Sequence, residues 1–220
     1  MKILEKQQYH LLFLIISSIL FRLILPYNNF LQGDLFGMTT LFWVILCLVI
    51  NVGHQVYVLI CWRIQLKSEW ITRKFGKLGF NLYIFGFFIL FFARFISIAM
   101  VSISNQNTLD INIVILRTLA IIISIPMIYL FYSVLRYFGI KRAAGADHFD
   151  ISYRSKQLES RGMYRYFKNG MYIFGVLILW IPGLILASQS ALLIALFTHI
   201  YIWVHYYTVE VPDMQIIYGI

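Results

Sequence analysis

Charge is what this sequence has least of. Only 12% of its 220 residues are Asp, Glu, Lys or Arg, where a soluble domain carries roughly 25%. That deficit excludes an ordinary water-exposed globule. Cysteine is nearly absent too. Cys47 and Cys61 are the two present, both inside one apolar run, which excludes a disulfide framework and a cysteine metal site. The first apolar run has no small-residue cleavage site, so it is expected to remain as an anchor rather than be removed as a signal. There is no internal repeat and no low-complexity segment.

What fills the chain instead is hydrophobic: 61% of residues, with a mean hydropathy of +0.80. Runs of about 18 or more apolar residues are long enough to span a bilayer. Spans are predicted near 9–27, 38–62, 79–103, 112–138, 171–187 and 191–209. The fifth is short and carries Pro182–Gly183 near its far end, so it is expected to pair with the sixth as a tight hairpin. The fold class is all-α, a polytopic membrane bundle of about six helices, with 1–138 as a four-helix region and 139–220 as a second region.

The net charge of +9 matters through its placement. Lys2 and Lys6 precede the first span. Arg63, Lys67, Arg73, Lys74 and Lys77 fall after the second, and eight more Lys and Arg run from Arg136, at the end of the fourth, to Lys168. The intervening loops at 28–37, 104–111 and 188–190 contain none. Positive charge stays on the cytoplasmic side, so both termini and the 139–170 segment are expected to face the cytoplasm. A bacterial inner membrane fits the short loops. Basic residues flanking spans are what an anionic leaflet attracts, so the charge calls for no nucleic-acid partner. Oligomeric state has no signature.

Two features go beyond a plain bundle. The 139–170 connection is 32 residues long, against about 2–8 in a typical helical bundle, and it holds aromatics, glycines and the pair Asp147–His148. It is either a folded functional segment or a basic headgroup-binding loop. The second feature is the C-terminal "HYYTVEVPDMQIIYGI". Glu210 is expected in the last turn of the sixth span, where the helix dipole disfavours it, with Pro212 ending the helix.

Between these features lies "GMYRYFKNGMY". Gly162, Tyr164, Lys168, Asn169, Gly170 and Tyr172 sit at the spacing of a G-x-Y-x-x-x-R-[H/N]-P-x-Y block. Glu210, Met214, Tyr218 and Gly219 reproduce a second block one hairpin later. Over residues 136–220 the chain resembles the membrane methyltransferases that include isoprenylcysteine carboxyl methyltransferases and phosphatidylethanolamine N-methyltransferases. It departs from them in Lys168, where the family has arginine, and in Gly170, where it has proline. Asn169 is more like the phospholipid branch.

The resemblance implies S-adenosylmethionine as cofactor, bound at the cytoplasmic ends of the last helices, and a lipid or lipid-linked acceptor entering from the bilayer. Glu210 would take the ribose diol or the ammonium. Lys168, with the glycine-flanked backbone of Gly162 and Asn169, would take the carboxylate. Tyr164, Met171 and Tyr172 would form the walls. His148 is the candidate base for an amine acceptor, with Glu210 beside it. A nicotinamide-dependent membrane reductase and a non-catalytic relative are the competing readings.

Arg22, Arg94 and Arg117 are expected near the outer interface, snorkelling or pairing structurally. Asn51, His54 and Gln55 make a polar patch that lines a lateral path or bonds helices together. His199 and His205 point to different faces and do not make a metal pair.

Overall fold

The computed structural model describes residues 4–27, 29–153 and 155–219, so Lys2 and Arg154 lie outside the described residues. Helix α1 (Gln8–Ile24) leads to a two-residue hairpin, β1 (Asp34–Leu35) and β2 (Met38–Thr39). Phe36 and Gly37 both have positive φ at its tip, the requirement of a type I′ turn. Long helices follow: α2 (Thr40–Ser68), a short α3 (Trp70–Phe75), α4 (Leu78–Ser104) and α5 (Ile113–Ser133), which continues as a π turn over Val134–Phe138. After α6 (Ile140–Ala143) and the long connection come α7 (Gly170–Ile173), α8 (Ile181–Ile185), α9 (Gln189–His205) and α10 (Val211–Tyr218).

The chain is a helical membrane bundle. Among the described residues four helices are long and apolar enough to cross a membrane: Thr40–Ser68, Leu78–Ser104, Ile113–Phe138 and Gln189–Tyr218. The first predicted span is a helix of 17 residues. The fifth is not one α-helix but α7, a 3-10 turn over Gly175–Leu179, and α8. Gly170, Gly175 and Pro182 break its regularity, because glycine and proline are the residues least able to sustain a helix. The expected hairpin forms all the same. Gly183 lies so close to α9 that an added Cβ would meet the Leu192 backbone N at 3.1 Å.

The interior is built where α9 packs on α2 and α4. Its Ala191, Ile194 and Ala195 meet Val44, Cys47, Ile98 and Val101. Outward residues such as Phe85, Ile89, Ile121 and Ile125 are exposed hydrophobics, a lipid-facing surface. At the end opposite the long connection, buried Asn105 ties three segments together. Its Nδ2 donates to the carbonyls of Asn29 (2.9 Å), Phe30 (3.1 Å) and Gln32 (2.9 Å), while its Oδ1 accepts from Thr108 Oγ1, Ser188 Oγ and the Ser190 N–H.

The last helix overturns one expectation. Pro212 does not end it, and Glu210 is not in a last turn: a π turn over Tyr206–Glu210 joins α9 to α10. In an α-helix residue 212 would donate to the Thr208 carbonyl, and proline has no N–H to give. Arg63 supplies the missing donor, its Nη2 lying 2.9 Å from Thr208 O. Arg63 is therefore no interfacial loop cation. It belongs to α2, is fully buried, and its Nε sits 2.8 Å from Asp213 Oδ1.

Candidate functional site

The π turn that ends α5 shapes the floor of the site. Gly139 closes it, its N–H donating to the Val134 carbonyl at 2.7 Å with φ +91°. The block from Gly162 docks on this turn. Met163 N–H donates to Ser133 Oγ at 2.9 Å, and the Tyr164 ring stacks on Phe138 with centroids 5.0 Å apart. Gly162 has φ +60°, and a Cβ there would meet Ser133 Oγ at 2.5 Å. Only glycine fits, for reasons of both conformation and space. Gly170, where the family has proline, is buried, and a Cβ added there would meet the Leu130 and Met163 side chains at 3.2 Å.

Beyond the π turn is a buried cluster of charges. Arg142 Nε lies 3.3 Å from Asp147 Oδ2, and its Nη2 donates to Tyr218 Oη at 2.9 Å. Tyr218 in turn donates to Asp147. On the other side of Asp147, His148 Nε2 is 3.3 Å from Asp213 Oδ2, and Asp213 is paired with Arg63. These contacts tie the long connection to α10 and α2. Burial works against the Arg142 charge, but Tyr218 and Asp147 more than offset it, and its pKa is raised. The Tyr164 phenol is also pushed up, by burial first and then by the nearby Glu159 and Glu210 carboxylates.

Two cavities meet here. The first, about 340 Å³, is walled by Phe87, Phe91, Phe131, Leu135, Met171 and Tyr172, among others. It reaches from Ile140 beside the π turn to Arg94 deep in the bundle. Both α4, through Phe87, Phe91 and Phe95, and α5, through Leu130 and Phe131, contribute to its wall. The second cavity, about 580 Å³, is cationic and aromatic, with Tyr137, Phe138, Lys141, Arg142, Lys156 and Arg161 in its wall. Leu135 and Ile140 line both.

Of the residues expected from sequence, Met171 and Tyr172 line the apolar cavity, and Tyr172 packs against Trp203 and Tyr206. Gly162 and Tyr164 form the docked block. Glu210 is half-buried near Tyr164, Asp147 and Asp213. Asn169 caps the start of α7 without a side-chain bond, and Lys168 is exposed. His148 lines neither cavity. Its ring is stacked 4.1 Å beneath Trp62, which does line the first. Arg63, Arg142, Asp147, Asp213 and Tyr218 were not singled out by sequence as a charge cluster. The only signal was the rarity of acids: two of nine, Asp147 and Asp213, flank the family blocks.

An apolar cavity thus meets a polar, cationic one at a single wall of a helical membrane protein. The family model for phospholipid methyltransferases matches residues 115–220. Through this region, from α5 to the C-terminal helix, the chain is similar to the phospholipid methyltransferases, a family of membrane methyltransferases. No curated protein and no solved structure gives a significant match.

Proposed function

We propose that the chain is an S-adenosylmethionine-dependent methyltransferase acting on a lipid or lipid-linked acceptor at the cytoplasmic face of a membrane. A phospholipid amine is preferred to an isoprenylcysteine carboxylate. The observation that carries this reading is the shared wall: an apolar cavity lined by α4 and α5 and a cationic–aromatic cavity meet at Leu135 and Ile140. An acceptor chain fits the first and a zwitterionic, ring-bearing cofactor fits the second.

The donor set suits that cofactor. Arg142, Lys141 and Lys156 would be cations for its carboxylate and Tyr137 and Phe138 flat walls for its adenine, while Glu210, which lines neither cavity but lies near Tyr164, would accept from its ribose hydroxyls or ammonium. Lys168, Asn169 and Gly162, which line neither cavity, would join the site from the block that Tyr164 and Met163 dock on the π turn. When bound, the cofactor supplies an electrophilic methyl group. The chain's own contribution is alignment. Methyl transfer is an in-line displacement that gains most from holding its two reactants close and oriented, and Met171 and Tyr172 are placed to position an acceptor group. The buried ring of His148, away from either cavity, moves its assignment from general base to positioning residue: with Asp213 and Arg63 it fixes the start of α10, and so Glu210.

Protein in vesicles containing amine phospholipids, incubated with methyl-labelled S-adenosylmethionine, tests this directly. Label in the amine phospholipid is the expected result. Label in an added isoprenylcysteine lipid alone would overturn the acceptor preference, and label in no lipid would overturn the activity.

A further inference from the structure

The deep end of the apolar cavity has a chemistry that methyl transfer at its other end does not use. Arg94 was expected near the outer interface, snorkelling or pairing structurally. It turns inward, is 7% exposed, and lines the cavity. Its Nε donates to Asn51 Oδ1 at 2.9 Å and its Nη1 lies 3.1 Å from His54 Nδ1. Asn51 is itself held by Thr198 Oγ1 at 3.1 Å and by the Cys47 carbonyl at 2.8 Å, so the guanidinium sits on a fixed mount. Both partners are neutral or weakly basic. Among the described residues no carboxylate lies within ion-pair distance of Arg94.

Two further groups point to a missing ligand. His54 Nε2 and both ring nitrogens of His205 are buried with no hydrogen-bond partner among the described residues. Both histidines line this cavity, and each is under 5% exposed. Buried polar atoms without partners are rare in folded proteins, and a charged side chain inside a membrane marks a functional site by default. Arg94 is 16 residues from the start of α4 and His54 is 14 from the end of α2. At 1.5 Å per residue both lie about 21–24 Å from the loop-bearing ends of their helices. They therefore share one level deep in the bundle.

We propose that this end of the cavity is a binding site for the carboxylate of a long-chain acid, held by Arg94 with His54 and His205 beside it, its chain lying among Phe87, Phe91 and Phe131. One guanidinium balances one negative charge, and its planar fork matches a carboxylate. A phosphate carries more charge and hydration than a single cation at this depth compensates. The acid differs from the methyl acceptor in its anchor: Arg94 and His54, which bond one another, lie outside the family-matching region that holds Met171 and Tyr172. It occupies the acceptor's path and so competes for it. The site does not depend on the methyltransferase reading, and His54 and Arg94 lie outside the region that matches the family.

The test uses the full chain in lipid nanodiscs and radiolabelled dodecanoate, with dodecanol and methyl dodecanoate as uncharged probes of the same chain length. The expected result is acid binding tighter by about tenfold or more, the scale of one charge-assisted hydrogen bond. That preference should persist in about 1 M salt, where surface attraction is screened to about 3 Å. Arg94→Gln should remove it, while Arg117→Gln, at an exposed arginine, should leave it intact. Equal binding of the three probes to the wild-type protein overturns the proposal without any variant. So does a preference that disappears in high salt, since that belongs to the basic surface.

Discussion

Removing the Asp213 carboxylate is expected to destabilise the protein by more than any surface substitution. Asp213 and Arg63 are both fully buried, with Nε and Oδ1 2.8 Å apart, and His148 Nε2 approaches the other carboxylate oxygen at 3.3 Å. Taking one partner from a buried pair leaves an uncompensated charge and costs about 3–5 kcal/mol. Losing the histidine contact adds about 1 kcal/mol, so Asp213→Ala should lower stability by about 4–6 kcal/mol. Replacing both partners by apolar residues, Asp213→Leu with Arg63→Met, should recover much of that, because apolar packing often matches a buried pair. It should not recover all of it. Without Arg63 the Thr208 carbonyl opposite Pro212 loses the donor described above, a remaining penalty of about 1–3 kcal/mol. Unfolding in mixed SDS–detergent micelles, followed by tryptophan fluorescence, measures each value. Glu159→Gln serves as control, since its partner Arg161 is largely exposed and no measurable change is expected. An Asp213→Ala protein within about 1 kcal/mol of wild type, the usual range of a surface change, would refute the buried pair as the lock on α10.

Other substitutions separate the site from the scaffold. Gly162→Ala places a Cβ against Ser133 at a φ of +60°, and should weaken S-adenosylhomocysteine binding by about tenfold or more with the helices intact by circular dichroism. Glu210→Ala and Tyr172→Ala should each reduce affinity for that ligand in calorimetry while the protein stays folded in detergent; wild-type affinity in both would remove these residues from the site. Asn105→Ala breaks the hub at the opposite end and should cost about 2–4 kcal/mol, since several buried groups lose partners. It should leave S-adenosylhomocysteine affinity unchanged, and a loss of affinity without a loss of stability would contradict its structural role.

Hydrophobic run length made the four long helices legible, and Pro182–Gly183 correctly marked a hairpin, because both signals are local. The glycine spacing of the 162–172 block was legible for the same reason: φ and close approach at Gly162 are local demands. Long-range compensation was not. Pro212 stops a helix considered alone, and nothing near it in sequence reveals that Arg63, far upstream on α2, would carry the orphaned carbonyl. Arg63 itself looked like an interfacial cation because α2 continues past it to Ser68 and its partner, Asp213, lies far away in sequence on α10. For Arg94 the sequence left snorkelling and structural pairing both open: its partner Asn51 lies on another helix, and depth along α4 does not say which way a long side chain turns.

The most direct test is calorimetric titration of the purified, detergent-solubilised protein with S-adenosylhomocysteine, run in parallel with NADPH. Saturable binding of S-adenosylhomocysteine, with no response to NADPH, is the expected result. Binding of NADPH alone would contradict the methyltransferase assignment and move the chain to the reductases, and binding of neither by a folded sample would make it a non-catalytic relative.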